Sequence, residues 1–208
     1  MPATGVFTKR QLTRGPGWLY SGVTVPATGV ELTLDASGKP SDGMLMGFTD
    51  AGTAIIYGVE QTDEMVDESA TPIDTVISGE AFDFEVGLLQ LANQEVLKLL
   101  FPTGTSVTAG INIGGLERIP DSVRTSYLLV WKLQDDTYAH AMLYEAIQSN
   151  ELNLPVSRVN RMVANARFKG LADGARTAGD FVGRLRIPTV PPTAVATSAA
   201  AEKVNEAA

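Results

Sequence analysis

Residues 43–102 read GMLMGFTDAGTAIIYGVEQTDEMVDESATPIDTVISGEAFDFEVGLLQLANQEVLKLLFP. Within them, residues 81–89 show the clearest period: Phe82, Phe84, Val86 and Leu88 alternate with Asp83, Glu85 and Gly87. Successive side chains of a strand point to opposite faces, so one face is apolar enough for a core and the other carries acids. Residues 91–101 (LANQEVLKLLF) change to helical spacing, with Val96 and Leu100 widening an apolar stripe that starts at Leu91. Pro102 and Gly104 stop the helix. A helix this short is not stable alone and must lie against a sheet. Upstream, 44–49 and 53–59 read as strands around a turn at 50–52. Residues 60–71 read as an acidic loop, 73–77 as a strand, and Ser78–Gly79–Glu80 as a turn.

The flanks extend the same pattern. Residues 1–17, with Gly5, Gly15, Pro16 and Gly17, read as an extended arm. Residues 18–25 (WLYSGVTV) are aromatic and β-branched, as strands are. In 30–34, Val30, Leu32 and Leu34 alternate with Glu31 and Thr33, a half-buried strand. Residues 36–43 read as a loop and 105–113 as a strand. Residues 124–133 and 137–147 flank a turn and predict a hairpin. The second of these could be helical from Ala139, Ala141, Met142 and Leu143; strand is chosen because Tyr138, His140, Met142 and Tyr144 alternate among strand neighbours. Residues 156–171 predict an amphipathic strand with a basic outer face, 172–177 a turn and 181–187 a last strand. The Pro- and Ala-rich tail 188–208 lacks a core-forming pattern. The fold class is therefore mainly β: a β-sandwich or rolled barrel of about eight to ten strands with one short flanking helix, preceded by an arm and followed by a tail. The folded domain spans 18–187.

The totals narrow the function. The 208 residues carry 24 acidic and 16 basic side chains, a net charge of −8. That disfavours a protein that grips nucleic-acid phosphates through a basic patch. The imbalance sits in residues 1–104, with five bases against 14 acids; residues 105–208 have 11 bases against ten acids. With no cysteine, disulfides, thiolate zinc sites and a Cys nucleophile are excluded. No apolar run reaches the ~18 residues of a membrane span, and residues 1–17 lack the apolar segment of a signal peptide.

No residue pattern points to a reaction. His140 is the sole histidine and cannot assemble a zinc site alone; its neighbours Tyr138 and Met142 favour a structural place over a triad. No phosphate-binding glycine loop is present. Asp83 and Glu85 lie about 7 Å apart if on one strand face, a spacing that does not single out a glycosidase pair. The run Glu60, Asp63, Glu64, Asp67, Glu68 lacks the glycine and closing Glu of a calcium loop, and reads first as a solvated loop. Phe82, Phe84 and Phe168 read as core rather than as stacking platforms for bases. The expectation is no cofactor, no metal and no enzymatic activity.

The order of elements in 43–102 resembles that of the major tail tube protein of long-tailed bacteriophages. In that family a turn like GFTDAG precedes an acidic segment like VEQTDEMVDE, then a short strand, an SGE turn, an amphipathic strand and a helix. The resemblance extends over roughly residues 18–187. It implies hexameric rings stacked head-to-tail into a tube that conducts the genome into the host. The protein would then belong to the virion tail and be assembled in the host cytoplasm. Its partners would be copies of itself, other tail proteins at the tube ends and DNA that passes without specific binding.

Alternatives are another virion or injection-machine component, such as a tail completion protein or a secretion-tube subunit, or a β-barrel enzyme or carbohydrate-binding module. Within the tube reading, Asp83 and Glu85 are expected to line the lumen, unless they face bulk solvent outside or pair with Arg167 or Lys169 on an adjacent strand. The loop with Glu60, Asp63, Glu64, Met65, Val66, Asp67 and Glu68 is expected to join subunits. Arg158, Arg161, Arg167, Lys169 and Arg176 are expected to form a basic face between rings.

Overall fold

The structure is a computed structural model. It describes residues 13–49, 53–64, 74–88, 93–108, 110–114, 121–133, 136–149, 152, 163–177 and 179–188. Among these residues, ten strands and one α-helix follow in the order β1 (Thr13–Ser21), β2 (Met44–Phe48), β3 (Ala54–Glu64), β4 (Asp74–Leu88), α1 (Gln94–Leu100), β5 (Thr105–Val107), β6 (Gly110–Asn112), β7 (Thr125–Leu133), β8 (Tyr138–Gln148), β9 (Ala164–Leu171) and β10 (Gly183–Arg186), with a 3-10 turn at Asp121–Val123 before β7. Eight strands form one antiparallel sheet in the order β2-β1-β7-β8-β9-β4-β3, with β10 also on β8. The free side of β8 is shared: Leu143 to His140 pair with Gly183 to Arg186, and Glu145 to Gln148 pair with Leu171 to Phe168. A bridge between Thr49, just past β2, and Leu88 at the end of β4 shows that the sheet curls until its first strand meets its sixth. The fold is a rolled sheet, as expected.

The alternation read in 81–89 puts Phe84, Val86 and Leu88 in the core with Phe168, Ala166 and Ala164 directly opposite on β9. Tyr127 stacks on Phe168 with ring centroids 4.2 Å apart. Between Leu143 and Ala146, β8 has one residue more than β7 has between Tyr127 and Thr125. This bulge shifts the parity, so Leu143 and Ala146 both join the interior. Helix α1 buries Val96 and Leu100 against the same core. Asn93 caps it by accepting a hydrogen bond from the Glu95 N–H at 2.9 Å.

The outer face of β1, β7 and β8 carries a second cluster of Tyr20, Leu128, Val130, Met142 and Tyr144, with Val23 beside them. A strap, residues 22–43, lies over it and contributes Val25, Leu32 and Leu34. Residues 30–34 are therefore not a strand; Leu34 makes only an isolated bridge to Pro40. Alternation there records one side packed on a sheet, which a loop satisfies equally well. The Asp35 carboxylate accepts from the N–H groups of Ser37 and Lys39 and holds the strap's turn.

Other boundaries also differ from expectation. The arm does not run to residue 17: Thr13 and Arg14 already pair with Leu133 and Lys132. The Gly15–Pro16–Gly17 run sits at a register shift of β1, where a proline does not break the ladder. Gly17 is required there, since a Cβ would stand 2.9 Å from the Val130 carbonyl oxygen. The SGE turn is a bulge within a single 15-residue strand, with Gly79 opposite Glu60 and Ile77 opposite Gln61. Glu60 to Glu64 consequently belong to β3, not to a loop. Residues 105–113 form a small hairpin, β5 and β6, because Thr108 turns the chain. The arm 1–12 and the tail 189–208 lie outside the described residues.

Adjacent residues on β9 test the face assignment. Phe168→Ala should cost about 3–5 kcal/mol in denaturant unfolding, by transfer and cavity terms. Lys169→Ala, on the exposed face, should stay within about 0.5 kcal/mol. Similar losses for both would contradict the register.

Candidate assembly surfaces

Asp83 and Glu85 share a strand face but have different surroundings. Asp83 is 2 % exposed. The Arg167 Nε and Nη2 donate to its Oδ2 at 3.1 and 2.7 Å, and the Gly170 N–H donates to Oδ1 at 3.2 Å. Gly170 allows this approach, because a Cβ there would meet the Phe82 carbonyl oxygen at 2.4 Å. Glu85 is exposed opposite Arg167, and Lys169 is exposed opposite Asp83. Asp83 is thus not a solvent-facing carboxylate; the alternative of pairing with Arg167 is the one observed. The face carries Asp83, Glu85, Arg167 and Lys169, two charges of each sign. It does not present the wall of like charge expected of a lumen.

The basic face is likewise altered. Arg158 and Arg161 lie outside the described residues. Arg167 is committed to Asp83. The Arg176 side chain is 7 % exposed and contacts Asp173 at 3.3 Å and Asp180 at 2.7 Å. Its guanidinium lies 3.8 Å from the Tyr144 ring centroid and donates to the Pro26 carbonyl of the strap. Burial, and then the hydrogen bond donated to Asp180, raise the Tyr144 hydroxyl to about 12. Burial opposes charge on Asp180, but the Tyr144 hydroxyl with Arg184 and Arg176 outweighs it and holds the carboxyl below its usual range. Arg184 donates to the Val30 carbonyl at 2.5 Å, and Arg186 pairs with Glu31 at 2.5 Å. These cations fasten the strap internally. Of the five expected basic-face residues, Lys169 alone is described and exposed without an ion pair.

In the acidic run, Glu60, Asp63 and Glu64 stand exposed on β3, opposite Gly79, Thr75 and Asp74. Met65, Val66, Asp67 and Glu68 lie outside the described residues. Val76 and Ile77 on β4 are exposed, Ile77 by 60 %.

The sequence did not single out a groove of about 520 Å³ between the β3–β4 pair and β10. Ile55, Tyr57 and Phe82 line one wall and Phe181, Val182 and Leu185 the other. Tyr57 is 63 % exposed, and its hydroxyl donates to Glu80 at 2.8 Å. A signal was present: in 181–187, Phe181, Leu185 and Ile187 alternate with Arg184 and Arg186, an apolar side with no assigned partner. Both ends of the sheet are open among the described residues. At one end β3 pairs only with β4. At the other, Met44–Phe48 of β2 pair only with β1 and expose Leu45 and Phe48, the Thr49–Leu88 bridge closing the sheet just beyond them.

Among the described residues no three metal-ligating side chains converge, and no helix is long and apolar enough to cross a membrane. His140 is buried on the strap side, and Tyr127 is buried in the core with its hydroxyl unpaired.

The Asp83–Arg167 pair is asymmetric. Arg167→Ala strands a nearly buried carboxylate and should cost about 3–5 kcal/mol. Asp83→Ala leaves a guanidinium that can turn to water and should cost about 1–3 kcal/mol. Chemical denaturation of both variants checks the order, and a larger loss for Asp83→Ala would contradict it.

No known family and no curated protein matches the chain. Among solved structures, a chain described as "Crystal structure of Hcp protein" is similar at 16 % identity, covering 74 % of this chain and 88 % of that one with a TM-score of 0.32. At that TM-score the likeness carries no argument about function.

Proposed function

We propose that this chain is a structural, non-catalytic subunit that associates with copies of itself edge to edge. The observation that carries this reading is one sheet with two different open edges, both bearing exposed apolar side chains. The β3 edge is 11 residues long; its outer part carries the charges of Glu60, Asp63 and Glu64, which blunt an edge, whereas residues 54–59 hold no charge and no proline. The β2 edge is short and exposes Leu45 and Phe48. Joining β3 of one copy to β2 of the next uses two distinct surfaces, so the contact is head-to-tail and closes into a ring when the rotation permits. It also removes the edges.

The finer reading rests on the resemblance to phage major tail tube proteins in the order of elements across residues 43–102. On that reading the rings are hexameric and stack into a tail tube of the virion, assembled in the host cytoplasm. Other tail proteins bind its ends and the genome passes through it. The third cross-chain element is the outer part of the β3–β4 pair, whose exposed Val76 and Ile77 and acidic Asp63, Glu64 and Asp74 reach beyond the core.

Negative-stain images of the concentrated protein test the proposal. Rings or tubes are expected. Leu45→Lys and Tyr57→Lys should each abolish them while leaving the melting transition of the dilute protein within about 0.5 kcal/mol of the parent. A protein that stays monomeric at every concentration, or lysine variants that assemble like the parent, would overturn it.

A further inference from the structure

His140 lies on the outer face of the sheet, between Tyr138 and Met142 along β8 and opposite Val130, all three of them in the cluster that the strap covers. It is 4 % exposed and its Nδ1 has no hydrogen-bond partner. On β8 it stands between Ala139 and Ala141, with Val130 of β7 on one side and Arg186 of β10 on the other. The strap packs over this face through Val23, Val25, Leu32 and Leu34. We propose that His140 is an acid-sensitive latch for the strap, and that protonating its imidazole releases residues 22–43 from the outer face of the sheet.

The imidazole is buried, while the Glu31 and Arg186 side chains next to it are about half exposed at the rim of the layer. Arg186 and Arg184 face the imidazole from β10, and Glu31 faces it from the strap. Glu31 is the single carboxylate among them, and it already neutralises Arg186 at 2.5 Å. The remaining ionisable groups on the packed elements are Tyr138, Tyr144 and Glu145 on β8, the last paired with Arg124, Tyr127 and Lys132 on β7, Arg14 and Tyr20 on β1, Asp35, Lys39 and Asp42 on the strap, and Asp173, Arg176 and Asp180 near Tyr144. Most of these charges are engaged: Lys132 with Asp136, Arg176 with Asp173 and Asp180, Asp35 with backbone amides, and Asp42 with Thr24. A proton on His140 therefore adds a buried cation beside two guanidiniums, and the one carboxylate that faces it among the described residues, Glu31, is already paired with Arg186. Burial first, and then Arg186, push the imidazole below its ordinary value, against the upward pull of Glu31.

The sign follows. The closed state favours neutral imidazole and the open state takes the proton more readily. Closure is therefore complete above the open-state value, near 6.5, and weakens as pH falls below it. The strap is the element that yields. The sheet beneath it is held by strand ladders, whereas the strap is held by its apolar contacts, by Arg184 on Val30 and Arg176 on Pro26, and by the Glu31–Arg186 pair.

Hydrogen exchange on the full chain tests this, corrected for intrinsic pH dependence. Between pH 7.5 and 5.0 the amides of Thr24, Val30, Asp35 and Gly38 should exchange severalfold faster, while those of Leu128 and Met142 hold. In His140→Phe the strap amides should lose this response. Because the chain has one histidine, its imidazole resonances are unambiguous; their titration midpoint in the unmodified protein should coincide with strap loosening, which keeps the test valid if the variant does not fold. Strap exchange that is flat to pH 5.0, a response retained in His140→Phe, or an imidazole that titrates outside the range of loosening would each overturn the proposal.

Discussion

A sheet that curls without closing must leave two edges, and this constraint organises the molecule. The core face needs the curl, because Phe84, Val86, Leu88, Phe168 and Tyr127 require cover from the far side of the same sheet. The Thr49–Leu88 bridge brings that cover about at one end only. At the other end β10 occupies the half of β8 that β9 leaves, and the β3–β4 pair runs on past the core. The groove between them, with Tyr57 and Leu185 exposed, follows from that divergence. Open edges and an apolar groove are costly in an isolated subunit and useful in an assembling one.

The strap solves a second problem. Strands β1, β7 and β8 are apolar on both faces, so their outer face also needs a lid. A single 22-residue segment supplies it, at the expense of backbone groups that no ladder satisfies. Side chains do that work instead: Ser126 Oγ donates to the Val23 carbonyl at 2.5 Å, and Arg184 and Arg176 reach the carbonyls of Val30 and Pro26. The arginines are therefore tied to fold integrity. A charge count along residues 158–186 could not separate that use from a basic surface.

What was legible in the sequence was the period of each segment; what was not was the identity of its partner. Alternation in 81–89 and the change of period at 91–101 identified β4 and α1 correctly, and the alternation of Tyr138, His140, Met142 and Tyr144 chose strand for β8 against helix propensity. The same signal misread 30–34, where a strap packs on one side as a strand would. Ser78–Gly79–Glu80 looked like a turn because bulges and turns draw on the same residues. For Asp83, a lumen-facing place and a pair with Arg167 both stayed open, because a partner 84 residues away is fixed by strand order and not by period. The edges and groove depend on strand order, which periodicity does not contain.

In the proposed assembly, β3 of one copy meets β2 of another. The chain has no cysteine, so introduced pairs report without background. With Leu45→Cys fixed on β2, a second cysteine can be moved along residues 54–62 of β3, one per variant. Oxidation of the concentrated protein should give a ladder of covalent multimers at one register and its immediate neighbours, since a disulfide forms only when the Cβ atoms come within about 3.5–4.5 Å. Uniform, weak cross-linking at every register would contradict edge-to-edge pairing of β3 with β2.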